Sequence, residues 1–126
     1  SINFHHINYL EQNARLNEIM LTGRHGKTMI HIDQVTHIES RRDHVVFCFD
    51  DQRPRISTQS LSFYEHLLPA HQFFRIHKSY IVNCAKVQHI ETGRCGRVVL
   101  KNGISLQIAA RRKTAFIAAF NQFYQK

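Results

Sequence analysis

The feature that most constrains this chain is the shortness of its apolar runs, each closed by a turn signal. Asn102-Gly103 stands between Arg97–Lys101 and Ile104–Ile108, and Asn-Gly between two apolar runs is the strongest short hairpin signal. His44–Phe49 is rich in Val and Phe, as strands are. Ile19–Thr22 ends at Gly23-Arg24-His25-Gly26, a turn by composition, and Lys27–Ile32 follows it. Val35–Glu39 and Lys86–Glu91 alternate at period two. Arg53–Thr58 reads as the hairpin partner of His44–Phe49, with Pro54 marking an edge because proline cannot donate to a ladder. Tyr80–Val82 adds another short run, broken by Asn83-Cys84-Ala85.

Beyond a short stripe of Tyr9, Leu10, Leu16 and Met20 near the start, two stretches carry helical spacing. Ser60 is placed as an N-cap for Leu61–Leu68, where Leu61, Tyr64, Glu65 and Leu68 recur at i, i+3, i+4, i+7 before Pro69. Ala115, Phe116, Ala119, Phe120 and Phe123 predict a second helix over Ala110–Gln122. Between the helices, the Phe73-Phe74 pair is suited to plugging a core. The expected fold is mostly β, with about eight to ten short strands, one short internal helix and a C-terminal helix.

The chain's 126 residues suit one domain, placed at 19–126. Residues 1–18 read as a linker or short helix from an upstream domain, and the Ser1 start as a piece of a longer protein. Neither a signal peptide nor an apolar run of the roughly 20 residues needed to span a bilayer is found. Cys48, Cys84 and Cys95 are odd in number and widely spaced, so reduced thiols in a cytoplasmic protein are expected. Cys48 is assigned to the core and Cys95 to an exposed turn.

The formal charge of +8 is concentrated. Arg75, Lys78, Lys86, Arg94, Arg97, Lys101, Arg111, Arg112 and Lys113 stand against one acid, Glu91, between positions 75 and 113, while the rest of the chain is balanced. Neutralising a polyanion with several Lys and Arg releases its counterions, which drives nucleic-acid binding. Nucleic acid is therefore favoured over a merely solvated basic face, and both over an anionic membrane; no direct membrane binding is predicted. Enzyme chemistry finds no foothold: GxSxG, P-loop and HExxH patterns are absent. No metal site is predicted, since the histidines lack convergent ligand spacing, and no cofactor is called for.

The run Phe73-Phe74-Arg75-Ile76-His77-Lys78-Ser79-Tyr80-Ile81-Val82-Asn83 closely resembles the F-x-R-x-H-+-S-[YF]-[IV]-V-N stretch of the LytTR DNA-binding domain. Val35–Glu39, Asp43-His44-Val45, Ser60-Leu61, Asn102-Gly103 and Arg111-Arg112 fall in the family's order, so that the likeness covers about residues 20–115. The resemblance implies an elongated sandwich of antiparallel sheets that reads double-stranded DNA with loop side chains. It further implies the cytoplasmic output domain of a transcriptional response regulator in a two-component system. The implied partners are promoter direct repeats, an upstream receiver domain, a cognate histidine kinase and a second copy paired on DNA.

By position, the resemblance assigns groove contacts to His44, Lys78 and Arg111, with His77 and Ser79 beside Lys78 and Arg112 beside Arg111. Arg is the best base reader, since it donates two hydrogen bonds to guanine. Arg41, Arg42, Arg75, Arg112 and Ser79 are expected on phosphates, which position without specifying. The bland readings stay open: His77 as a hydrogen-bonded structural histidine, Ser79 as a local backbone partner, Arg111 as a helix-start surface charge. Asn83 is read as a turn residue bonding nearby backbone. Two departures stand out: Ala109-Ala110 where many members have Ser before the Arg pair, and a longer last helix, able to cover the sandwich or to pair subunits. The rival functions are a LytTR-fold protein-interaction or sensor module and a nonspecific RNA or single-strand binder.

Overall fold

A computed structural model describes residues 17–125. Of the predicted linker, residues 1–16 lie outside the described residues. Strands β1 (Glu18–Gly23) and β2 (Gly26–His31) form a two-stranded antiparallel sheet. The central sheet holds β3 (Val35–Ser40), β4 (Val45–Phe49), β5 (Arg55–Ser57), β6 (Phe73–His77) and β7 (Tyr80–Asn83), in the order β5-β4-β3-β7-β6. A third sheet holds β8 (Val87–Glu91), β9 (Arg97–Leu100) and β10 (Ser105–Gln107), with β9 central. Helix α1 spans Leu61–Leu67 and α2 spans Lys113–Tyr124. The mostly-β expectation holds, and β5 takes the edge that Pro54 signals.

Side-chain alternation gives the central sheet two covered faces. On β4, Val45, Phe47 and Phe49 are buried on one face, where they join Ile38, Phe73 and Ile81 under α1 and the β1–β2 hairpin. Ile76 and Val82 point the other way, into a second core with Val98, Leu100, Leu106 and Phe116, closed by the third sheet and α2. Burying a Phe such as Phe116 stabilises by about 1.5–3 kcal/mol. The longer last helix thus covers the sandwich, with Phe120 and Phe123 packed against this core. Cys48 corrects a sequence expectation: it alternates with Phe47 and Phe49, faces away from their core and is half-buried.

Three short 3₁₀ turns, at Ile32–Gln34, Cys84–Lys86 and Ala110–Arg112, were not foreseen. The last replaces the first turn of the predicted C-terminal helix. The strict alternation expected over Lys86–Glu91 is broken by a register shift between Val87 and His89. Leu100 N–H donates to Ile104 O and Gly103 N–H to Leu100 O, so Lys101-Asn102-Gly103 is a three-residue hairpin loop. Gly103 takes φ +92° there, the glycine conformation such loops require. Ser60 caps α1 as predicted, its Oγ accepting from Phe63 N–H at 3.0 Å.

Candidate nucleic-acid interface

Antiparallel pairing carries distant residues to one end of the central sheet. The pairs Ser40↔Val45, Glu39↔Tyr80 and Val45↔Ser57 place the β3–β4 loop, the β6–β7 turn and the end of β5 at the same rim. Backbone hydrogen bonds fasten the pieces. Ser40 N–H donates to Ser79 O at 2.8 Å, joining loop to turn. Ala109 N–H donates to Ile76 O at 2.8 Å, laying the segment before α2 along the free edge of β6. Segments centred on positions 43, 78 and 111 are thereby neighbours.

The predicted residues divide into two groups. Arg42, Lys78 and Arg111 are exposed, and none forms an ion pair among the described residues. Arg41 is exposed too, though its Nε lies 3.1 Å from Glu39. His44 is half-buried, its Nδ1 2.8 Å from Asp43 Oδ1. The Asp43 carboxyl is held below its ordinary value by this hydrogen bond to His44, then by the His44 and Arg24 charges.

Arg75 and Arg112 lie beneath this layer. The Arg75 side chain is only 17% exposed, and its guanidinium donates to Ser62 Oγ and Glu65 Oε1 of α1 at 3.0 Å each. It also donates to Lys78 O at 2.6 Å, so the Arg of the motif clamps the turn to the helix. Arg112 donates to Arg75 O at 3.2 Å and keeps a buried, unpartnered Nε. Both were expected on phosphates. Within the fold both terminal nitrogens of Arg75 are instead engaged, because β6 alternation turns its side chain toward α1, while Arg112 engages one; the Nε of Arg75, like that of Arg112, is buried without a partner.

His77 and Ser79 close the turn on itself. Ser79 N–H donates to His77 Nδ1 at 3.1 Å, which requires that nitrogen to be unprotonated. Partial burial, then the Lys78 and Arg112 charges, push the His77 pKa below its ordinary 6.5. Asn83 is fully buried: Oδ1 accepts from Ala85 N–H at 2.9 Å and Nδ2 donates to Val35 O at 2.9 Å. It ties β7 to β3 and is a structural asparagine, as its turn chemistry suggested.

A family model described as the LytTr DNA-binding domain matches residues 25–121. The chain belongs to that family. The LytTR family is a DNA-binding one and not an enzyme class, and DNA binding is the activity its members' domain is named for. The fold is also that of a solved LytTr DNA-binding domain from a Bacillus cereus protein described as a methyl-accepting/DNA response regulator. The TM-score is 0.70 at 21% identity, over 82% of this chain and 95% of that one. No curated protein matches the chain. Among the described residues of this LytTR domain, no helix is long and apolar enough to cross a membrane, and no three His, Cys, Asp or Glu gather as a metal site.

The resemblance pointed to His44 but not to its partner Asp43, nor to Ser62 and Glu65 as the anchors of Arg75. Adjacency in sequence was the one signal for Asp43. For Ser62 and Glu65 there was none, since helix-to-strand contacts leave no local pattern.

Proposed function

We propose that this LytTR domain binds double-stranded DNA sequence-specifically, as the cytoplasmic output domain of a transcriptional response regulator. The observation that supports this most is the meeting of three sequence-distant segments on one cationic rim. Five strands at about 4.8 Å spacing make that rim roughly 19 Å wide, about six base pairs at 3.4 Å rise. His44, Lys78 and Arg111 are assigned to base edges, and Arg41 and Arg42 to phosphates. Ser79 and His77 set the shape of the β6–β7 turn. Arg75 and Arg112 act as positioning residues that hold the turn and the pre-helical segment in register. Two such rims on one duplex suit promoter direct repeats, with a second copy of the chain as partner. An upstream receiver domain phosphorylated by a histidine kinase completes the layout.

Binding to single strands needs successive aromatic platforms. Among the described residues, the exposed large aromatics Phe63 and Tyr124 sit on separate helices, which favours the duplex. Selection of bound duplexes from a random pool tests the proposal: a recovered consensus that outcompetes single strands is expected. With that consensus, Arg111→Ala should lose about 1–3 kcal/mol at one base pair and relax the preference there. A uniform loss over all sequences would reassign Arg111 to a phosphate, and no consensus would leave the interaction-module reading.

A further inference from the structure

The rim does not stop at the β3–β4 loop. Beyond it lies the β1–β2 turn, Gly23-Arg24-His25-Gly26, whose charge no sequence argument singled out. Thr22, two residues before Arg24, is fixed to the end of β5. Thr22 O accepts from Thr58 N–H at 3.0 Å and from Ser57 Oγ at 2.7 Å. Thr22 N–H donates to the buried Tyr64 Oη at 3.1 Å. Ser57 pairs with Val45, the first residue after the β3–β4 loop, so these bonds hold the hairpin beside that loop. Gly26, paired with Gly23 across the base of the turn, takes φ +153°.

Between turn and loop runs a cleft of about 540 Å³, lined by Arg24, His25, Asp43, His44, Ile56 and Thr58. Arg24 and His25 are exposed. Arg24 is near enough to help hold the Asp43 carboxyl in its charged form, yet forms no ion pair among the described residues. The Asp43 carboxylate is taken up by His44 at 2.8 Å. Arg24 is therefore a cation held in line with the rim, on a braced hairpin, with no hydrogen-bond partner for its guanidinium among the described residues. It also lies just outside the residues that match the family model.

We propose that the β1–β2 turn is a fourth DNA-contacting element, in which Arg24 binds a backbone phosphate flanking the base pairs that His44 faces. This rests on the duplex reading above and lengthens it. An arginine fork suits a phosphate better than a lysine point charge. As a phosphate contact, Arg24 adds affinity without base preference.

The test measures affinity of the full chain for a random-sequence duplex over a range of salt, for wild type, Arg24→Gln, Arg42→Gln (a phosphate contact in the reading above) and Arg53→Gln. Arg53 is an exposed arginine in the β4–β5 connection, at the opposite end of the sheet. Each lost phosphate contact should reduce the slope of log K against log salt by about 0.9. Arg24→Gln is expected to show that reduction with an unchanged thermal midpoint, and Arg53→Gln none. If Arg24→Gln behaves as Arg53→Gln does while Arg42→Gln flattens the slope, the fourth contact is wrong and the three-segment reading stands. If none of the three alters the slope, the duplex reading itself fails.

Discussion

The crest of the rim and the layer beneath it carry the same residue types and treat them in opposite ways. On the crest, Arg42, Lys78 and Arg111 are exposed. Beneath it, Arg75 and Arg112 are drawn into hydrogen bonds with α1, the β6–β7 turn and the β6 backbone. A cation on the crest costs the fold little and leaves its donors for a ligand. One beneath it carries a desolvation cost that only fixed partners offset. The lesson is that a basic motif can be half scaffold, and that the scaffold half determines where the reading half stands.

Breaking the lower layer should have the largest effect. Arg75→Ala removes hydrogen bonds from a charged donor to three acceptors and should cost about 1–3 kcal/mol of stability, read as a lower urea midpoint. Affinity for every duplex should fall with it, even where the protein is fully folded, because the turn is released. Arg75→Lys should rescue little, since an ammonium lacks the planar fork. Tyr64→Phe tests the hairpin brace: it strips Thr22 N–H and Ser57 Oγ of a buried partner, for about 1–3 kcal/mol in the same measurement. Lys78→Gln on the crest should do the reverse, leaving stability within about 0.5 kcal/mol while weakening DNA binding.

The smallest effect is one of pH. His77 and the buried His37 both have pKa values depressed below 6.5, His37 by burial against the opposing pull of Glu39. The unfolded chain therefore binds these protons first, and the stability these groups contribute is full above pH 6.5 and lost as pH falls toward their folded values. The stability gap between wild type and His77→Asn, measured by urea unfolding, should narrow between pH 7.5 and 5.5. A gap that widens on acidification would mean that His77 is held in its charged form.

Much of the strand pattern was legible because alternation and turn chemistry are local. Asn102-Gly103, the Ser60 cap and the edge marked by Pro54 all read correctly for that reason. Boundaries slipped where tertiary contacts intervene: the 3₁₀ turn at Ala110–Arg112 forms where Ala109 N–H is engaged by Ile76 O. Cys48 was misplaced because an apolar run does not say which parity faces the deeper core. The charge window ending at Lys113 was a one-dimensional measure. Arg24, Arg41 and Arg42 come from the balanced remainder of the chain, and folding brings them to the rim.

The sequence by itself determined the class of fold, the family and the presence of an excess of cations, since each is written in local pattern and composition. Only the tertiary structure decided which cations are open and which are girders. That division depends on strand register, on the side of the sheet α1 covers and on hydrogen bonds between residues as distant in sequence as Ser40 and Ser79 or Arg75 and Arg112. None of these is a property of any short stretch of chain.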